Sequence, residues 1–262
     1  GYYSAGNRII QLLYLLPTIM SLSVLPTFAR TAHRDNARFR QILERIVSMM
    51  FLVAIPIVVG GVIVGAPLLT LVFGASYAPG ALAFKLLLLT LLIDFPAVVL
   101  SAAVFSYDRQ KSLILYAGIG GVLNVILDLV LIPRFGGPGS AIATIIAQLA
   151  ANIYLWHILR RVNHFEIFKH LKKIIAGAVV MGIATFVLAQ PALHLHVAVV
   201  IGLSIPIYFG FLYLMREKLL IEIKTTLKPV VADETLGAEA QADQAEIIEE
   251  EHRRLPVEHP GR

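Results

Sequence analysis

Five polar side chains stand inside long apolar stretches of this 262-residue chain: Arg8, Lys85, Asp94, Asn124 and Asp128. Ionisable groups at membrane depth are costly, so they face a bundle interior or a wet cavity. Asp94 lies about midway along its apolar block. Asn124 and Asp128 are four residues apart and therefore share one helix face. Two readings stand for these three: an ion or proton relay or polar lining for a substrate cavity, or hydrogen bonding between helices with Asp128 near enough to the external end to be wet. Lys85 lies within a turn of the external interface, where snorkelling competes with a cavity role. Arg8 offers a permanently charged, planar fork of donors that suits phosphate oxygens, and a snorkelling interfacial arginine is the plain alternative.

The motifs of enzyme chemistry are missing. There is no HExxH, no P-loop and no GxGxxG; Gly118-Ile119-Gly120-Gly121 has the wrong spacing and lies in an apolar stretch. There is no cysteine, which removes disulfides, thiolate metal sites and thiol nucleophiles. His194 and His196 form an HxH pair with no carboxylate or thiolate beside them. The expectation is a protein that is not an enzyme and needs no cofactor or metal.

The elements that must position the five residues follow from composition. Hydrophobic residues make up 58% of the chain, charged residues 15%, and the mean hydropathy is +0.79. A soluble domain carries about 25% charged residues, so this chain has too few to cover a water-facing surface. Apolar blocks fall at roughly 8–29, 48–73, 83–106, 113–132, 139–158, 174–189 and 195–215. Blocks of about 20 apolar residues match a bilayer core. The fold class expected is all-α: a polytopic transmembrane bundle of about seven helices.

The loops alternate. Arg30, Arg34, Arg38, Arg40 and Arg45 follow the first block; the second loop has no charge; Arg109 and Lys111 mark the third, Arg134 alone the fourth. Arg160, Arg161, Lys169, Lys172 and Lys173 mark the fifth, the sixth is neutral, and Arg216, Lys218, Lys224 and Lys228 follow the last block. Basic loops stay cytoplasmic, so the N-terminus lies outside and the C-terminus inside, in a plasma or inner membrane. The same distribution points to topology and away from nucleic acid. Small residues at four-residue spacing (Gly61 and Gly65; Ala143, Ala147 and Ala151; Ala178 and Gly182) allow close helix approach. Trp156, Tyr107 and Tyr213 sit at block ends and suit interfacial belts, and Val162–Lys173 reads as a short amphipathic surface segment.

Three regions result: a transmembrane bundle over 1–215, a cytoplasmic amphipathic segment over 216–229, and a tail over 230–262. Residues 1–229 carry 19 Lys/Arg against 8 Asp/Glu, and 230–262 carry 3 against 9, so +11 and −6 sum to +5. The acidic tail reads as disordered. The chain opens on Gly1-Tyr2-Tyr3 without a methionine, as expected of a piece of a longer protein or of a natural half-transporter.

Tyr2-Tyr3-Ser4-Ala5-Gly6-Asn7-Arg8-Ile9-Ile10-Gln11, then Leu16-Pro17 and Leu25-Pro26-Thr27-Phe28-Ala29-Arg30, resembles the start of the second half of polysaccharide and lipid flippases. These are the Wzx-type O-antigen and exopolysaccharide transporters of the multidrug/oligosaccharidyl-lipid/polysaccharide exporter superfamily. Leu131 to Thr144, with its proline, aromatic and glycines, is similar to a second recurring element. The resemblance spans roughly residues 1–215. It implies the second of two lobes, helices eight to fourteen of fourteen, which agrees with the parity read from loop charges. It implies transport of an undecaprenyl-diphosphate-linked glycan from inner to outer leaflet, with Arg8 as the arginine that holds the diphosphate. The partners implied are membrane lipids, that lipid-linked substrate, and a missing N-terminal lobe or a second chain. A cation-coupled multidrug exporter and a lipid II flippase of the same superfamily remain beside it. A membrane-embedded glycan transferase or a non-transporting subunit stands as the reading from another class.

Overall fold

In hydrocarbon an unpaired backbone amide or carbonyl has no water to turn to, so a chain this apolar must close its hydrogen bonds within each segment. The computed structural model describes residues 2–190 and 195–217. Among them every regular element is helical: α1 (Tyr2–Leu13), α2 (Leu15–Thr31), α3 (Asn36–Phe73), a 3₁₀ stretch (Ala75–Gly80), α4 (Ala81–Ser106), α5 (Gln110–Phe135), α6 (Gly137–Arg160), α7 (Phe168–Leu188) and α8 (Val197–Leu214). α1 and α2 together make one span, and seven spans among the described residues are long and apolar enough to cross a membrane. The all-α bundle expected from the apolar blocks is the fold observed.

Helix ends follow local chemistry. Asp35 caps α3 by accepting the Arg38 amide at 2.9 Å. The helix therefore starts at Asn36, inside what the arginines suggested was a loop to residue 45. Its extra turns are held by Phe39, Leu43 and Val47, buried at four-residue spacing. α3 ends at Gly74, whose φ of +95° suits glycine. The segment expected to be an amphipathic helix over Val162–Lys173 differs: residues 163–167 are irregular, and α7 begins at Phe168. The expected regions 216–229, beyond Glu217, and 230–262 lie outside the described residues, as does His194.

Small residues set the packing. A Cβ on Gly61 would stand 2.8 Å from Leu88 of α4, and one on Gly182 would stand 2.8 Å from Val59 of α3. Ala143, Ala147, Ala151 and Ala178 are buried. All three small-residue sets thus lie at helix contacts, where lipid bundles are tightest. α4 is the most enclosed element and α5 has no buried residue, lying along α6 at the rim.

The bundle has two chemically distinct ends. At one, the Asn163 amide donates to the Asn36 carbonyl and to the Tyr107 hydroxyl, both at 3.1 Å, and Tyr107 donates to Asn36 Oδ1 at 2.9 Å. Nearby the Glu166 amide donates to Glu44 at 2.7 Å, and His33 meets Asp108 at 3.2 Å. Tyr107, expected in an interfacial belt, is buried instead; burial pushes its phenol up, with Asn163 opposing, so it stays a donor. At the other end Tyr2 packs edge-on against Tyr77 at 5.8 Å, and Gly137 lies beside Tyr3. The first, third and fifth loops, which carry the arginines, therefore share one end, and the weakly charged second and fourth loops share the other. By the positive-inside rule the arginine end is cytoplasmic. Single cysteines at Ala78 and Ser112 should label from opposite faces of sealed vesicles; labelling from the same face would break the topology.

Candidate functional site

The five polar residues do not converge. Arg8 is exposed on α1, away from the face (Ala5, Gly6, Ile10) that α1 buries against α4. That face is set by Gly6, whose Cβ would lie 3.2 Å from Phe84. Lys85 lays its stem across Gly65 of α3, where a Cβ would meet Lys85 Cγ at 3.2 Å. Burying the stem while freeing the head is what long cationic side chains do near an interface.

A cavity of about 360 Å³ borders α1 at Ile9, the position after Arg8; Arg8 itself is not among its lining residues. Ile9 and Leu13 line it from α1, Gly60 and Gly61 from α3, Leu88 from α4, Met181 from α7 and Tyr208 from α8. The polar groups on its wall are already engaged. Thr185 and Ser204 share a hydroxyl hydrogen bond of 2.7 Å, and Tyr208 donates to the Leu52 carbonyl at 2.9 Å. What the cavity offers a ligand is hydrocarbon surface, the lining that takes an apolar chain. The sequence reading did not find it, because its walls come from five helices whose apolar residues look like any others.

Asp94 is buried in α4, and its Oδ2 accepts the Tyr14 hydroxyl from the junction of α1 and α2. The Tyr14 ring leans on Phe95 at 6.2 Å. Asn124 and Asp128 do meet, and they meet α6 as well. With its amide turned to satisfy both neighbours, Asn124 donates to Asp128 Oδ2 at 3.3 Å and accepts the Thr144 amide at 3.2 Å. Asp128 Oδ1 is buried without a partner among the described residues. Next to this group a polar cavity of about 270 Å³ opens between α5 and α6, lined by Tyr116, Asn124, Thr144 and Gln148. Ser140, Thr144, Gln148 and Asn152 recur every four residues on α6, a polar row legible in the sequence and passed over because none is charged.

No cluster of three or more His, Cys, Asp or Glu occurs among the described residues. His196 caps α8, its Nδ1 accepting the Ala198 amide at 3.3 Å; the other member of the HxH pair, His194, lies outside the described residues.

If Asn124 and Asp128 serve only to satisfy one another, removing one should cost more than removing both. Asn124→Leu should lower stability by about 1–3 kcal/mol. The double variant with Asp128→Leu should recover most of that loss, read from thermal unfolding in detergent; a double variant no better than the single would remove the pairing argument.

The sequence pattern of the family described as lipid II flippase MurJ matches residues 1–210. The probable flippase AglR of Haloferax volcanii is 32% identical over 157 residues, covering 58% of this chain and 33% of that protein. The lipid II flippase MurJ of Bacillus subtilis is 22% identical over 236 residues, covering 82% of this chain and 43% of that protein. Among solved structures, a lipid II flippase MurJ in an inward closed conformation superposes with a TM-score of 0.69 at 21% identity, covering 84% of this chain and 47% of that one; this likeness shows the fold. The chain thus spans less than half the length of the relatives it matches. The match is at the level of flippases, and within them to the lipid II branch that the sequence reading set beside its Wzx-type preference. The chain, a multi-pass protein of the cell membrane, belongs to the lipid II flippase MurJ family.

Proposed function

We propose that this chain forms one lobe of a flippase that carries a polyprenyl-diphosphate-linked glycan from the inner to the outer leaflet, making and breaking no covalent bond. One observation carries the reading: a cationic side chain and an apolar cavity sit on adjoining positions of one helix, Arg8 beside Ile9. A diphosphate attached to a long hydrocarbon needs that combination. The guanidinium matches phosphate oxygens with paired, charge-assisted hydrogen bonds, and the cavity takes part of the chain out of competition with lipid. Lipid II and O-antigen-type intermediates both belong to this substrate class. The bacterial relative is a lipid II flippase and the archaeal one a probable flippase, which supports this class of cargo. Two lobes rocking about a shared site is the usual transporter plan, so the reading calls for a second lobe, on the same chain or another.

Arg8→Gln in the full-length protein should lower export of the lipid-linked glycan at least about tenfold, because a charge-assisted hydrogen bond contributes about 1.5–3 kcal/mol. Arg8→Lys should fall between, since a point charge replaces the fork. Leaflet accessibility of the glycan in sealed vesicles measures this, with gel filtration as the folding control. Export that is unchanged in Arg8→Gln would take Arg8 out of the site.

A cation-coupled exporter is the second reading, favoured by the buried Asp128 Oδ1, which has no partner among the described residues. An ionisable group unpartnered at membrane depth is the usual mark of an ion or proton path. Under this reading Asp128→Asn stays folded and transport loses its dependence on a cation gradient; transport indifferent to every monovalent gradient in the parent protein would end it.

A further inference from the structure

The first span is weakened at Tyr14, where α1 gives way to α2: Tyr14 keeps helical dihedrals, and its amide and carbonyl bond Ile10 and Thr18 at 3.2 Å, but the bond that position 17 would make to Leu13 is missing. The sequence makes the weak point. Pro17 has no amide hydrogen, so the Leu13 carbonyl cannot receive the donor four residues on, and the proline ring crowds it. Thr18 adds to the weakness by turning its hydroxyl back onto the Tyr14 carbonyl at 2.7 Å, a bond that bends helices. A helix weakened at one level swings about that level unless something outside holds it.

Two things hold α1. Its inner face lies on Phe84 of α4 through Ala5, Gly6 and Ile10. That contact is made by small and apolar groups, and it can slide. Among the described residues no side-chain hydrogen bond leaves α1 for another helix; below the junction Ser21 reaches the Val98 carbonyl at 3.4 Å. At the junction itself stand directional links to α4: the Tyr14 hydroxyl donates to Asp94 Oδ2 across 80 residues of sequence, and the Thr90 hydroxyl lies within hydrogen-bonding reach of both. Asp94 is 5% exposed and sits on the most enclosed helix, so it is a fixed post and no longer an open ligand. A carboxylate acceptor makes the bond a strong one, and the dry surroundings leave it no competing water.

We propose that the Tyr14–Asp94 hydrogen bond is a latch that sets the angle of the outer half of the first span, and with it the place of Arg8. Tyr14 and Asp94 are then positioning residues for the diphosphate ligand, acting through the hinge between Leu13 and Pro17. The role assigned to Arg8 rests on the function proposed above; the latch itself does not.

The test places spin labels at Ser4 on α1 and at Phe135 at the outer end of α5 in the full-length protein, a pair made simple by the lack of cysteine in this chain. Double electron–electron resonance reads the spread of distances between them. The parent should give one narrow distance. Tyr14→Phe keeps the ring against Phe95 and loses only the donor, and Asp94→Leu loses the acceptor; both should lose the narrow distance to a broad distribution. Asp94→Asn, whose amide oxygen still accepts, should restore it, and Tyr14→Phe combined with Asp94→Leu should be no broader than either alone. A parent-like spread in Tyr14→Phe overturns the latch. So does Asp94→Asn as broad as Asp94→Leu, which would mean that charge and not the hydrogen bond holds the hinge. If the parent moved no lipid-linked glycan, the functional reading would fail while the distances still decided the latch.

Discussion

Everything in this bundle answers to one constraint: a polar group inside hydrocarbon has no water to fall back on. For the backbone the answer is helix along every span. For side chains the answer is pairing, and the pairs are the informative contacts of the fold. Tyr14 meets Asp94, Thr185 meets Ser204, Tyr208 meets the Leu52 carbonyl, and Asn124 meets both Asp128 and Thr144. All but Asn124–Asp128, which lies within α5, tie segments that apolar packing alone would leave free to slide, because lipid tails wet a leucine face as well as another helix does. The small residues act in the same direction by a different route. They shorten the distance between helix axes until dispersion contacts become numerous, as at Gly61 against Leu88 and Gly182 against Val59.

Where the chain leaves the hydrocarbon the chemistry changes. At the arginine end three loops far apart in sequence are stitched through Asn36, Tyr107 and Asn163, with Glu44 capping the amide of Glu166. Arg160 lies over the Trp156 ring at 5.7 Å, adding a cation to the aromatic band. The opposite end is held by ring contacts and close backbone approach, such as Tyr2 on Tyr77 and Gly80 against Tyr2. Directional bonds fix one end, and weaker, non-directional contacts fill the other.

The sequence made the class legible because hydrophobic length and loop charge are properties of single segments, and both survive without knowledge of neighbours. It missed what depends on neighbours. The loop drawn to residue 45 was a helix from Asn36, since five arginines looked like solvent while Phe39, Leu43 and Val47 marked a buried stripe. Tyr107 looked like a belt residue because its partners, Asn36 and Asn163, lie 71 and 56 residues away. Asp94 looked open for the same reason, its donor being 80 residues upstream. Asn124 and Asp128 were read correctly as one face because i and i+4 is local geometry. Their third member, Thr144, came from the next helix and was not anticipated.

These differences have one mechanical consequence. A lobe that rocks in alternating access must travel as a unit, yet it must also reshape the surface it presents to the substrate. The stitched loops suit the first demand, since they join the cytoplasmic ends of several spans through short hydrogen bonds. The proline-weakened junction at Tyr14 suits the second, and it lies in the span that bears Arg8 and borders the apolar cavity through Ile9 and Leu13. On the function and latch proposed above, stiffness at one end and a held hinge toward the other would confine the freedom of such a lobe to the segment beside the cavity. If a glycan-linked diphosphate is the cargo, its polar head needs a movable cation and its hydrocarbon chain needs a steady wall; Arg8 rides on α1, while α3, α4, α7 and α8 supply the wall beyond Ile9 and Leu13.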